Sequence, residues 1–465
     1  MKINYKDILN YLFIIGLFFF SFNHVEVMPF MGEYIKESGA IFFFLGFFLL
    51  CIEVIKTGKI YLPIHNKLYI LLVLFYALCI ICTLMNYSSV SENYFKRTSG
   101  ISRFIRQMIS LSIPIFIFIP FFWKILKDLS AEEIFNKIRT ILLYTLYFAS
   151  FYGFFEILYS YFGIYPARYI TDFIGEIVPF IKPIYHHGGR ISAFAYEPPF
   201  FAIFLITISG WMFSYIITGK NLITKLSPTI LILILTFFSG SRTGLLVVFF
   251  TLILFTLYLY KKNIYRKQLN FLFIGLIITS FSIVTISAEK FKNSIEEKIE
   301  SLNFTGNLKT SISNKSRFGM QFASIEVFKE NPIFGVGYGQ QTYQAQYHYP
   351  RWATKDNYEF DLFYKNKKEL SFPPGYNIYT RILAELGIVG FISWLSILIY
   401  SLYLCYKFLY SSDYYIRILT LSITISLIGL YINWLQIDTF RMYGVWINFV
   451  ILMRLSYLIK SVKNE

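Results

Sequence analysis

Apolar runs of hydrocarbon length recur along the whole chain, separated by short polar connections. They fall near 8–22, 39–55, 68–84, 108–123, 141–162, 199–218, 222–238, 243–260, 270–287, 384–406, 415–434 and 442–459. A helix needs about 20 mostly apolar residues to cross a bilayer core, so each run predicts one span. The first is too long, and too far from the start, for a cleaved signal peptide, and no small-residue cleavage site follows it. The expected fold is an all-α polytopic integral membrane protein of about twelve transmembrane helices. Residues 1–287 hold the first nine, with a medium outer loop near 163–198. A large outer loop occupies 288–383, and 384–465 hold the last three helices and a tail.

Composition agrees with this pattern. The chain is 56% hydrophobic and 15% charged, against about 25% charged in soluble domains. No water-facing surface could hide 52 Phe and 38 Tyr, so disorder and a secreted disulfide scaffold are excluded. Cys79 and Cys82 have a metal-like spacing but continuous hydrocarbon on both sides, which makes them helix-packing residues.

Charge sets the orientation. With both termini cytoplasmic, cytoplasmic connections and span ends carry 20 lysines and arginines, against 10 outside once the long loop is set aside. Long segments cross largely regardless of charge, so the loop at 288–383 is expected outside. The net charge of +16 is largely this orientation signal. Outward Lys96, Arg97, Arg103 and Arg106 suit anionic lipid headgroups or an anionic substrate. No basic soluble module exists to hold nucleic acid. No internal repeat of the transporter kind is visible.

Four outer segments combine arginine, glycine and helix-end punctuation. The first runs from His186 through His187, Gly188, Gly189 and Arg190 to Glu197, Pro198 and Pro199. Its prolines suit a helix start, and Glu197 there is a dipole cap or a catalytic carboxylate. The second, Ser239-Gly240-Ser241-Arg242-Thr243-Gly244, interrupts an apolar stretch. A cation at that depth is a functional candidate by default, and arginine beside helix amides and hydroxyls makes an anion cradle. In the third, Arg317 precedes an apolar stripe of Phe318, Phe322, Ile325 and Phe328. That spacing predicts an amphipathic helix along the outer surface, closing over a cavity. The alternating Gly335, Gly337 and Gly339 beyond it lack the following Lys-Ser or Lys-Thr of a phosphate loop. In the fourth, Asn377, Arg381 and Glu385 share one helical face, either packed together or lining a polar cavity.

The order of these pieces resembles the O-antigen ligase and polymerase superfamily of bacterial membrane glycosyltransferases. The likeness rests on 239–244, on Arg317 followed by Asn331-Pro332-Ile333-Phe334-Gly335-Val336-Gly337, and on Tyr376-Asn377 followed by Ala384-Glu385-Leu386-Gly387. It spans roughly residues 185–405. It implies a multi-helix body with a periplasmic loop, and glycan transfer from an undecaprenyl diphosphate carrier without nucleotide sugars. Family ligases typically have histidine where Tyr376 stands here. A phenol, with a pKa near about 10, is a poor base at neutral pH, which favours the polymerase branch.

Such a reaction needs cations on the leaving diphosphate and a base on the attacking hydroxyl. Arg190, Arg242 and Arg317 are the diphosphate candidates, with Asn377 and Arg381 as further substrate-binding residues. Glu197 is the first candidate base, His187 the second, and Tyr376 an orienting donor. Metal independence and no cofactor are expected. Tyr343, Tyr347, Tyr349 and Trp352 of the loop either stack on sugar rings or pack a small loop core. Expected partners are the undecaprenyl-diphosphate-linked oligosaccharide and membrane lipids, with a chain-length regulator protein as a further candidate. The runner-up activity is a ligase transferring glycan to lipid A core. A lipid-linked oligosaccharide flippase, which needs no base, is the rival from another class.

Overall fold

The computed structural model describes residues 5–27, 31–178, 180–261, 270, 311–366 and 368–464. Among the described residues, nine helices are long and apolar enough to cross a membrane. With Tyr5–Phe18 as α1, they begin with α2 (Ser38–Thr57), α3 (Lys67–Met85), α4 (Gly100–Leu126) and α5 (Ala131–Ser160). After the short helix α6 (Pro166–Ile177) come α7 (Pro198–Thr218), α8 (Leu222–Ser239) and α9 (Arg242–Lys261). The loop helix α10 (Ile312–Glu330) precedes the spans α11 (Ile378–Leu409) and α12 (Tyr414–Asn433). The last helix, α13 (Tyr443–Asn464), has a shorter apolar stretch, Tyr443–Ile459. This is an all-α polytopic membrane protein. At 14 residues α1 is short for a span, and the run expected at 270–287 lies outside the described residues apart from residue 270.

Helix α7 is the hub. From Phe201 to Phe213 nearly every side chain is buried, as in a helix that is apolar all round, and it packs against α8, α9 and α12. Gly210 permits the closest approach: a Cβ there would lie 2.2 Å from the Ser422 carbonyl oxygen. Ser426 then donates to the Thr207 carbonyl at 2.8 Å, and Asn448 to Ser426 at 2.9 Å. Cys79, Cys82 and Cys405 are buried in helix packing, and all four cysteines are free. Lys96 and Arg97 occupy the left-handed turn of a small hairpin, Tyr94–Phe95 against Thr98–Ser99.

The glycine-rich segment after α10 is a packing device. Val336 and Gly337 donate to the Ala384 and Glu385 carbonyls at 3.0 and 2.9 Å, and Ile388 donates to Pro332 at 2.8 Å. These bonds seat the segment against a break in α11, where Gly387 has φ 62°. A Cβ on Gly335 would fall 2.4 Å from the Glu385 backbone, and one on Gly387 would fall 2.3 Å from the Ile333 oxygen. Helix α10 turns its small residues inward, including Gly319, Ala323 and Ser324, while Phe322 and Ile325 face outward. Tyr343 is buried and Tyr349 packs on the loop's small core, whereas Tyr347 is 77% exposed.

The polar face of α11 is spent inside the protein. Asn377 accepts from the Tyr379 and Thr380 amides and caps the helix. Arg381 bonds Glu385 at 3.1 Å, the Asp438 carbonyl at 2.7 Å and Gln107 at 2.6 Å, with the Asp438 carboxylate at 3.6 Å. Gln107 passes the network to Glu33 at 2.7 Å. Burial raises the Glu33 carboxyl, but Arg441, Arg381 and Arg103 outweigh it and hold it below its ordinary value. Removing one member of a buried ion pair strands the others, at about 3–5 kcal/mol. Arg381→Met is therefore expected to lower the thermal unfolding midpoint of detergent-extracted protein sharply; an unchanged midpoint would reduce the network to a spectator.

Candidate active site

A cavity of about 790 Å³ lies where four separate segments meet. Its wall includes His186, Arg190 and Glu197 from the segment before α7, Ser241, Arg242 and Thr243 from the start of α9, and Ser313, Asn314 and Arg317 from α10. Asn433 and Gln436, at and just beyond the end of α12, complete it.

Each charged residue is placed by local structure. Helix α8 ends at Ser239 with Gly240 left-handed at φ 63°. Arg190 lies over that turn and donates through Nε to the Ser239 carbonyl at 3.3 Å, as a cation at a helix C-terminus should. A Cβ on Gly240 would come within 2.8 Å of Arg190 Cγ, so this glycine makes room for the guanidinium. Burial lowers the Arg190 value, Glu197 raises it, and the like charges of Arg242 and Arg317 lower it again; the net lies below the usual range. An arginine keeps its charge regardless.

Ser241 caps α9, accepting from the Gly244 amide at 3.2 Å. Arg242 follows in the first turn, half-buried, with no side-chain partner among the described residues. Arg317 is braced instead. It donates to Ser313 Oγ at 3.2 Å and to the Gln436 carbonyl at 3.1 Å, and its guanidinium centre lies 5.3 Å from the Tyr376 ring. Three guanidiniums against one carboxylate leave the cavity strongly cationic. The N-terminus of α9 adds helix dipole of the same sign.

Glu197 precedes Pro198 and Pro199 and makes no side-chain capping bond. It keeps access to the cavity, yet burial raises its carboxyl above the ordinary value against the pull of Arg190 and Arg317. Burial, then Arg190, lowers His186, which bonds Ser192 Oγ at 2.9 Å. A neutral imidazole follows at physiological pH. His187 opens the short turn His187–Gly189, where only its backbone is described.

Tyr376 stands behind Arg317. It has a positive φ of 60° and donates to Glu359 Oε2 at 3.2 Å. Burial first, then Glu359, push its phenol far above the ordinary value. Thus Arg190, Glu197, Arg242 and Arg317 share one cavity, Tyr376 supports one of them, and Asn377 and Arg381 sit in packing outside its wall. Asn314, Asn433, Gln436 and Glu359 carried no sequence signal, and His186, although it opens the first segment, was passed over for its neighbour His187. Isolated polar residues announce themselves only when the chain brings them together. Among the described residues, no group of three or more His, Cys, Asp or Glu could hold a metal ion.

The fold and cavity define the class: a polytopic membrane protein with an arginine-lined polar cavity beside a loop helix. The family described as O-antigen ligase matches residues 228–395, which include Arg242, Arg317, Tyr376 and Arg381. This match supports the O-antigen ligase/polymerase superfamily and, with it, a glycosyltransferase-like enzyme of O-antigen biosynthesis. No curated protein matches the chain significantly.

Proposed function

We propose that the chain is an O-antigen repeat-unit polymerase of the bacterial inner membrane. It transfers the growing glycan from undecaprenyl diphosphate onto a new lipid-linked repeat at the periplasmic face. The observation that carries this reading is the meeting of Arg190, Arg242, Arg317 and Glu197, from three distant stretches of chain, on one cavity. Guanidinium forks match phosphate oxygens. In the transfer, the bond from the anomeric carbon to the diphosphate oxygen breaks, and the leaving charge falls on the arginines. The acceptor hydroxyl forms the new glycosidic bond and gives its proton to Glu197. The cationic wall supplies the charge that a metal would otherwise bring, so the reaction is proposed to be metal-independent.

Tyr376 supports the polymerase over the ligase. A phenol held protonated by burial and by Glu359 cannot take a proton at neutral pH, so it orients and does not serve as base. Deleting the gene and separating lipopolysaccharide on a gel tests the proposal. Core bearing a single repeat is expected; core bearing none points to ligase or flippase. Orientation is checked separately. Tyr347, 77% exposed, should react as Tyr347→Cys with an impermeant thiol reagent in intact cells. Labelling only after permeabilisation would reverse the topology.

A further inference from the structure

The segment between Arg190 and Glu197 does not run over the surface. Ile191, Ser192, Ala193, Phe194 and Ala195 are all buried, although none belongs to a helix or strand. Irregular backbone at such depth is stable only if its polar groups find partners, and those partners come from elsewhere in the chain. The Ile191 amide donates to the Phe238 carbonyl at 3.1 Å. The Ala193 amide donates to Glu156 Oε2 at 2.7 Å, and the Ser192 amide interacts with the same carboxyl. The Tyr196 amide donates to Asn23 Oδ1 at 2.5 Å. His24 accepts from the Lys182 amide through Nδ1 at 3.1 Å, so its Nε2 carries the hydrogen and donates to the Ala195 carbonyl at 2.7 Å.

We infer that Glu156 is a positioning residue, which sets Arg190 and Glu197 against the cavity by holding the buried segment between them. Glu156 lies within the span α5, 3% exposed, where an ionisable side chain without a task is costly. It meets the segment at Ala193, which has the left-handed φ of 49° that a side chain rarely adopts. That conformation costs energy and persists only where surrounding contacts over-determine it. The acceptor beneath Ala193 supplies such a contact. Asn23 performs the same service nearer Glu197.

The inference rests on the reading that Glu197 and Arg190 act in the cavity, and its test is built to separate the two. Glu197→Cys provides a reporter of segment position that needs no activity, read as its reaction rate with an impermeant thiol reagent. Glu156→Leu leaves two amides without an acceptor, and is expected to change that rate about tenfold or more. Glu156→Gln keeps an acceptor oxygen and should restore the parent rate. Asn23→Ala removes the single acceptor of the Tyr196 amide, and decides the matter if Glu156→Leu does not accumulate. In protein with native Glu197, Glu156→Leu should cut turnover about a hundredfold through misplacement of the reacting groups. That loss should shrink in a Glu197→Gln background to what the displacement of Arg190 alone costs, because Glu156 acts on the base only through Glu197. An altered labelling rate without this coupling leaves Glu156 placing the segment and removes Glu197 as base. Parent labelling rates in the accumulated Glu156 and Asn23 variants would overturn the inference.

Discussion

Arg242→Ala is expected to abolish polymer while the protein still accumulates in the membrane. Arg242 lines the cavity from the first turn of α9 and has no side-chain partner among the described residues. A cation held at membrane depth without a partner is costly unless a ligand completes it. Little of the fold depends on it, so stability should survive its loss. Removing a preorganised donor to developing charge costs about 10²–10³ in turnover. Arg242→Lys should rescue poorly, because an ammonium cannot reproduce the planar fork. Lipopolysaccharide ladders and immunoblots from the same cells give both readings. A normal ladder from the alanine variant would reduce Arg242 to a structural role.

Glu197→Gln is expected to lose about 10²–10⁴ of turnover, the usual worth of general-base help, while donor binding stays. A capping role makes a different forecast. The side chain makes no capping bond, so only its charge near the helix dipole would be lost, about 1 kcal/mol at most, with activity intact. The pH profile separates them further. A base must be deprotonated to act, and burial raises this carboxyl. Activity should therefore fall as pH drops through a midpoint above the ordinary glutamate value of about 4.3, and Glu197→Gln should lose that limb. Purified variant, lipid-linked repeat and a gel of products across pH make the measurement. Near-parental polymer from Glu197→Gln would exclude this base and turn attention to His187.

How far the sequence carries the structure depends on the kind of information each residue holds. Runs such as Ile378–Leu409 and Leu222–Ser239 are local statements, because hydrocarbon demands an unbroken apolar stretch. Arg242 was visible for the same reason: a charge inside such a run breaks a local rule. Arg381 broke a similar rule but had a different explanation. Its partner Glu385 was in view one turn on, but Gln107 and Asp438 lie 274 and 57 residues away, and nothing in its neighbourhood announces them. The alternating glycines after α10 were legible as a special backbone. That they admit the break in α11, at Glu385 and Gly387, was not.

By itself, then, the sequence determined the membrane class, the helix order, and the residues whose charge or backbone freedom needed explaining, since each follows from solvent and covalent geometry within a few residues. Only the tertiary structure decided which of those residues meet. It brought Arg190, Glu197, Arg242 and Arg317 to one cavity, left Asn377 and Arg381 in packing, and set Glu156 beneath the segment that carries two of the four. The reason is physical: convergence depends on how the helices pack around α7, and packing is a property of shapes far apart in the chain, which no local window contains.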